Sequence, residues 1–142
     1  MPLVQKSMSM FANQMPKVVG PRAHAVIDYA VAATFFTVGA LFWNRDKRAA
    51  ISSIICGVAT VTNSIFTDYP GGIVKAISYH THGRIDMGLA GLTATMPQVM
   101  GFGDEAESRF FQMQAIGETA ITAMTDFNAL ERTESYRYRE AA

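Results

Sequence analysis

The chain of 142 residues has a single cysteine, Cys56, and no excess of charge of either sign. One cysteine excludes an intrachain disulfide and a metal site built from the thiolates of one chain. The 12 basic and 12 acidic residues cancel, so no broad positive field draws the protein to nucleic acid. The sequence also has no nucleophile–base pair, no phosphate-binding glycine loop and no zinc motif. We therefore predict no enzyme, no nucleic-acid partner and no metal motif.

Charged residues are also missing from three long stretches of the chain. These stretches have sixteen, nineteen and seventeen residues: Tyr29 to Asn44, Ala49 to Thr67 and Met87 to Gly103. A helix that crosses the hydrocarbon core of a bilayer needs about 20 mostly apolar residues. Each stretch reaches that length when its interfacial neighbours are included. A fourth stretch, Arg109 to Phe127, is interrupted by Gln112, Gln114 and Glu118. We predict four membrane-spanning helices.

The chain contains an internal repeat. Residues 24–69 align with residues 82–127 without a gap at a constant offset of 58, and the identities cluster at the polar ends of the two units. Each unit reads as a helix, a short turn and a second helix, so both copies have the same orientation. The predicted fold is therefore an all-α integral membrane four-helix bundle, built from two tandem helical hairpins related by a pseudo-twofold axis along the membrane normal.

The segments outside the repeats are predicted to lie at one membrane face. Residues 1–20 form an amphipathic segment with apolar residues at helical spacing: Val4, Met8, Phe11 and Met15. The domain itself spans residues 21–127, and the polar tail 128–142 is either a helical extension or disordered. Lysine and arginine are more frequent on the side of the termini and the middle connection, so both termini are predicted to be cytoplasmic. Within the second helix, a row of small residues predicts a helix contact: Ser52, Cys56, Thr60 and Ser64.

The repeated polar residues define a candidate binding site. In an antiparallel hairpin the start of the first helix lies beside the end of the second, which predicts two matching groups. One group contains His24, Asp28, Thr67 and Asp68, and the other contains His82, Asp86, Thr125 and Asp126. Because Asp68 and Asp126 end helices, they need a donor or cation, such as a histidine, Arg84 or a backbone amide.

Three hypotheses for this polar site remain open. The histidine–aspartate sets are clamps that hold each hairpin together, or they form a cation or proton site. Alternatively, His24 and His82 ligate a haem or another tetrapyrrole between the repeats. Glu118, predicted to lie near mid-membrane, requires a partner: Thr60, Asn63 or another subunit.

Several of these residues resemble a known family. The turn Thr67-Asp68-Tyr69, His82 four residues before Asp86, and Pro97 followed by Gly101-Phe102 are similar to the SPW-repeat family of small bacterial integral membrane proteins. The name-giving triplet is represented by Met96-Pro97-Gln98, so the resemblance is to a distant member. It covers residues 21–127 and implies a multi-pass protein of the bacterial inner membrane.

The expected function is a non-catalytic structural or interaction role, as an accessory subunit of a larger membrane complex. The alternative is a small ion or proton carrier or a cofactor-binding protein, with the cofactor unknown. The expected partners are the lipid bilayer, other membrane subunits or a second copy of the chain.

Overall fold

The computed structural model describes Met10 and residues 14–141 of the chain. The described part contains five helices: α1 (Pro21–Phe42), α2 (Lys47–Ile65), α3 (Tyr79–Val99), α4 (Ser108–Met124) and α5 (Ala129–Glu140). Two short strands, β1 (Thr67–Asp68) and β2 (Ile77–Ser78), join α2 to α3. The prediction of an all-α protein is confirmed. Of the predicted amphipathic N-terminal segment, Val4, Met8 and Phe11 lie outside the described residues.

Local signals set where the first three helices begin. Pro21 occupies the first turn of α1, where its fixed φ suits the helix and its missing N–H costs no hydrogen bond. The side chain of Asp46 caps α2 by accepting hydrogen bonds from the backbone amides of Arg48 and Ala49. Ser78 caps α3 in the same way by accepting from the amide of Thr81 at 3.1 Å.

The two helices of the first hairpin approach each other closely. The Ser53 hydroxyl donates to the backbone oxygen of Phe35 at 2.6 Å. A Cβ atom added at Gly57 would lie 3.0 Å from the Phe35 Cβ, and one added at Gly39 would lie 2.9 Å from Ile54 Cγ1. Small residues at these positions therefore permit the close contact between α1 and α2. In the rest of the bundle, α3 packs against α4 and α2 packs against α3.

Two short backbone pairings recur at the offset of the sequence repeat. β1 pairs in parallel with β2, with Thr67 opposite Ile77. A second parallel bridge joins Val19 to Thr125. Thr67 and Thr125 occupy equivalent repeat positions, as do Val19 and Ile77. The end of each hairpin is therefore fixed to the segment that precedes the other hairpin.

The interior of the bundle contains both polar and large apolar side chains, and Phe35, Phe102 and Phe111 are the largest that are fully buried. The predicted contact row of α2 is buried, which confirms that prediction: Ser52, Cys56, Thr60 and Ser64. On the opposite face of α2, Ile51, Ile55 and Val58 are 41 to 50% exposed.

Two helices, α1 and α2, are long and apolar enough to cross a membrane. In the described part of the chain, α3 and α4 do not meet the same criterion of length and composition. Two of the four predicted membrane spans therefore meet the criterion of length and apolar composition.

The polar tail forms helix α5, so of the two alternatives predicted for the tail the structure has the helical extension. None of the residues of α5 is buried.

Candidate functional site: a four-ligand centre

The structure brings the two repeated histidine–aspartate pairs together into one group, the four-ligand centre: His24, Asp28, His82 and Asp86. Each pair lies one turn apart on one face of its helix, the first pair on α1 and the second on α3. One donor atom from each of the four side chains lies within 4.8 Å of all the others. His24, Asp28 and His82 are buried, and the side chain of Asp86 is 12% exposed. The two repeats thus contribute equally to one site.

The hydrogen bonds of the two rings identify which nitrogen carries the proton. Nδ1 of His24 lies 2.9 Å from the Thr125 hydroxyl, and Nδ1 of His82 lies 2.8 Å from the Thr67 hydroxyl. Each hydroxyl donates its single proton to a backbone oxygen one turn earlier in its own helix, at 2.7 and 2.6 Å. It can therefore only accept from the imidazole. Both Nδ1 atoms consequently carry a proton, and in the neutral rings both Nε2 atoms have a free lone pair.

The two Nε2 atoms face each other at 3.1 Å. Two lone pairs repel at this distance unless a cation lies between them. The Asp86 Oδ2 atom lies 3.0 Å from each Nε2, and the Asp28 oxygens lie 3.3 and 3.2 Å from the Nε2 atoms of His24 and His82. Four electron-pair donors therefore converge on one point, which favours a positive charge there, either a proton or a metal ion.

The two carboxylates are also held by hydrogen bonds. Asp28 accepts from the Tyr69 hydroxyl at 2.9 Å and from the Ser64 hydroxyl at 3.2 Å. Asp86 accepts from the side-chain amide of Asn63 at 2.8 Å. Metal ligands in proteins are commonly oriented by such outer hydrogen bonds. Every side chain of the centre therefore has a fixed orientation.

Aromatic side chains cover the centre on the side of the chain connections. The rings of Tyr79 and Phe127 meet the His24 ring edge-on at centroid distances of 5.8 and 5.2 Å. The Tyr69 ring lies 5.1 Å from the His82 ring. Burial raises the pKa of the Tyr69 hydroxyl well above its usual range, so this group remains a hydrogen-bond donor to the centre. We call these three rings, Tyr69, Tyr79 and Phe127, the aromatic cap.

The distances in the centre match those of a tetrahedral metal site. Zinc–nitrogen and zinc–oxygen bonds are about 2.0–2.2 Å long, so the ligand atoms of a regular tetrahedron lie roughly 3.3–3.5 Å apart. Five observed separations are 3.0–3.3 Å, at or slightly below this range, with Oδ1 of Asp28 facing His24 and Oδ2 facing His82. A haem between the two histidines does not fit. The Nε2 atoms are too close for a macrocycle to lie between them, and both contact carboxylates.

Three other residues predicted for the site lie outside this group. Asp68 forms an exposed ion pair with Lys75, and Arg84 is exposed. Asp126 forms an ion pair with Arg132. The hydrogen bond from this guanidinium holds the pKa of Asp126 below its usual value. Of the donors expected for the two helix-ending aspartates, the backbone amide is found at Asp126, which accepts from the amide of Asn128 at 3.2 Å. The histidines and Arg84 do not serve as donors, because the flanking segments supply Lys75 and Arg132.

The predicted grouping by hairpin also requires a correction. His24 was expected beside Thr67, but its ring bonds to Thr125 of the second repeat, while His82 bonds to Thr67 of the first. The exchange follows from the backbone pairings, because each hairpin end is fixed beside the start of the other hairpin.

Glu118 has a different partner from those predicted. The Thr93 hydroxyl of α3 donates to Glu118 Oε2 at 3.3 Å, whereas Asn63 bonds to Asp86. The other oxygen of Glu118, Oε1, is buried without a hydrogen-bond partner among the described residues.

Sequence reasoning did not assign Ser64, Tyr69 or Tyr79 to the site, and it assigned Asn63 to the wrong acid. One signal was present in the sequence, since an asparagine within an apolar helix needs a buried partner. The tyrosines gave no such signal, because tyrosine is common at membrane interfaces.

Comparison of the chain with models of protein families, with curated proteins and with solved structures finds no match in any of the three. The resemblance to the SPW-repeat family therefore stays a prediction.

Proposed function

We propose that this protein is an integral membrane four-helix bundle that binds one divalent transition-metal ion between its two hairpins. The ion binds to Nε2 of His24 and His82 and to one carboxylate oxygen each of Asp28 and Asp86. Two imidazoles with two carboxylates suit Zn²⁺, and also Fe²⁺ or Mn²⁺. The two carboxylates neutralise the charge of the ion, so the loaded centre has no net charge to bury.

The proton positions on the imidazole rings carry the proposal. Both Nδ1 protons point away from the centre to threonine hydroxyls, so both Nε2 lone pairs point inward at 3.1 Å from each other. A single proton on one Nε2 atom can donate a hydrogen bond to the other Nε2 atom or to a carboxylate, but it does not bind all four groups. A divalent ion binds both Nε2 atoms and both carboxylates at once, and the ligand separations support this assignment.

The distribution of residues supports a membrane location. α1 and α2 are long and apolar enough to span a bilayer. The outer surfaces of α3 and α4 also carry large apolar side chains, including Leu92, Val99, Met113 and Ile116. α3 and α4 are less apolar because several of their polar residues face inward, among them His82, Thr93 and Thr122. The proposed location is a bacterial inner membrane with both termini in the cytoplasm, in agreement with the family resemblance and the distribution of basic residues.

The proposed role is non-catalytic. Four protein ligands complete a tetrahedral shell, as in structural metal sites. An ion held equally by both hairpins joins them and so stabilises the bundle. An accessory subunit of a larger complex requires a stable bundle of this kind.

The first experiment measures bound metal. Protein purified in mild detergent is dialysed against Zn²⁺, Fe²⁺ or Mn²⁺, and metal per chain is determined by mass spectrometry. We expect about one ion per chain for the wild type, and less than a tenth of that for His24→Ala or His82→Ala. The matched control is His80→Ala, because His80 is the one remaining histidine and is exposed. This variant should keep the full metal content.

Two results would contradict metal binding. The first is a metal-free wild type after dialysis against each of the three ions. The second is equal loss of metal from all three histidine variants, which would indicate binding at the protein surface.

The membrane location is tested separately. In cell membranes, the protein should stay in the pellet after extraction with alkaline carbonate and dissolve only with detergent. Release into the carbonate supernatant would contradict a membrane-spanning bundle while leaving the metal site untouched.

A further inference from the structure

A cavity of about 170 Å³ lies beside the four-ligand centre. Three of the four ligands line it: His24, Asp28 and Asp86. Since one water occupies about 30 Å³ of the liquid, the cavity has room for a metal ion with a few water molecules. The centre is therefore in direct contact with space that can hold an ion.

The position of the cavity breaks the symmetry of the bundle. The repeat relates α1 to α3 and α2 to α4, so the contact of α2 with α3 is equivalent to that of α1 with α4. α2 and α3 are packed against each other, whereas the cavity is lined mainly by α1 and α4, with Thr60 of α2 and Asp86 and Leu89 of α3 at its inner side. The cavity therefore lies on one of the two equivalent sides of the bundle, and the repeat does not account for it.

α4 presents a polar row to this cavity. Gln114, Glu118 and Thr122 follow one another at four-residue spacing, and all three line the cavity, as does Gly117. These residues include two of the three polar side chains that interrupt the fourth apolar stretch. The buried Oε1 atom of Glu118 has no hydrogen-bond partner among the described residues, and a carboxylate oxygen of this kind is a ready ligand for a cation.

Aromatic side chains lie beyond the cavity toward both ends of the bundle. The aromatic cap covers the centre toward the chain connections. At the other end, the Phe110 ring contacts Phe35 at a centroid distance of 5.7 Å and Phe42 at 6.2 Å, which joins α1 to α4. An ion that leaves the centre without displacing the aromatic cap therefore passes into the cavity.

We propose that the cavity between α1 and α4 is the passage through which the metal ion reaches and leaves the four-ligand centre, with Glu118 as an intermediate ligand. This proposal rests on the proposed metal-binding function. It assigns a role to Glu118, whose carboxylate is not one of the four ligands of the centre. It also makes the ion that joins the two hairpins exchangeable.

The experiment compares exchange rates with affinity. Purified wild type and variants are mixed with Zn²⁺ in a stopped-flow instrument to measure loading, and the loaded proteins are mixed with an excess of a chromogenic chelator to measure release. Gly117→Val narrows the passage, and its matched control is Gly91→Val on α3. A Cβ atom at either glycine meets no other atom within 4 Å, and Gly91 does not line the cavity.

We expect Gly117→Val to slow loading and release by the same factor, about tenfold, with Kd within about twofold of the wild type. Glu118→Gln removes the charge but keeps the acceptor for Thr93. It should slow both steps by about tenfold, because a charged carboxylate binds a cation more strongly than a neutral amide does. Gly91→Val should exchange Zn²⁺ at the rate of the wild type.

Two outcomes would overturn the passage alone. One is exchange at the wild-type rate in both Gly117→Val and Glu118→Gln while each binds one ion. The other is faster exchange in Tyr79→Leu with no change in Gly117→Val, which would place the route at the aromatic cap. A wild type that binds no Zn²⁺ overturns the proposed function as well, so the two failures are distinguishable.

Discussion

Thr67 and Thr125 are the outer partners of the two histidines, and their removal is the most discriminating change to the centre. Thr125→Val keeps the size and branching of the side chain but deletes the oxygen that accepts from His24 Nδ1. Thr67→Val does the same to His82. In either variant one buried N–H loses its acceptor, and the ring loses the contact that fixes both its orientation and its proton.

The size of the effect follows from two independent considerations. Loss of an outer partner of a metal-bound histidine weakens binding by about 10–100-fold, which is roughly 1.4–2.7 kcal/mol. An unsatisfied buried N–H costs about 1–3 kcal/mol, which is the same range. Because Thr67 and Thr125 are equivalent in the repeat, the two variants should raise Kd by similar factors.

The assay is a competition titration of the purified protein against a chromogenic zinc chelator. Thr37→Val and Thr95→Val are matched controls, because these exposed hydroxyls also donate to backbone oxygens of their own helices but contact no histidine. We expect both controls to keep the wild-type Kd. An unchanged Kd in Thr67→Val and Thr125→Val would refute the assignment of the proton to Nδ1.

Three further predictions concern the elements around the centre. Asp46→Ala should lower the free energy of unfolding by about 1 kcal/mol because α2 loses its cap, whereas Asp46→Asn should have little effect; chemical denaturation in detergent measures both. A Cβ atom at Gly72 would overlap a backbone oxygen of β1. Gly72→Ala should therefore weaken Zn²⁺ binding more than tenfold in the same titration. Gly88→Ala is the control and should leave binding unchanged, because a Cβ atom at Gly88 has open space around it. Because Arg132 lowers the pKa of Asp126, the stabilisation from this pair is present above the usual carboxyl pKa of about 4 and is lost as the pH falls through the lowered value. The hydrogen-exchange protection of α5, taken relative to the intrinsic exchange rate at each pH, should therefore decrease at low pH. Asp126→Asn should show the lower protection already at neutral pH.

The offset of 58 between equivalent residues could be read from the sequence, and it identified all four ligands. His24, Asp28, His82 and Asp86 were named because a histidine four residues before an aspartate occurs twice. The sequence did not reveal that the two pairs meet. That contact depends on how the hairpins face each other, and a repeat gives the symmetry of two units but not the distance between them.

The outer residues of the centre were harder to predict for a local reason. Tyr69 and Tyr79 flank the connection between the hairpins, a position where tyrosine commonly lies at the membrane interface. The pairing of β1 with β2 instead turns this connection inward, and both side chains are buried. Glu118 was identified from its position in an apolar helix, but its partner Thr93 lies on a neighbouring helix and depends on packing.

In the proposed metal site, the equal division of the ligands between the hairpins would link metal supply to the cohesion of the protein. Neither hairpin holds more than one imidazole and one carboxylate of the centre, so an ion is retained only while the two halves stay joined. A ligand that binds the folded form alone stabilises it by about 2.7 kcal/mol when its free concentration is 100 times Kd. Scarcity of the ion would withdraw that contribution and leave Asp28 and Asp86 facing each other across the interface. The free energy of unfolding of the bundle would then depend on the metal content of the cell.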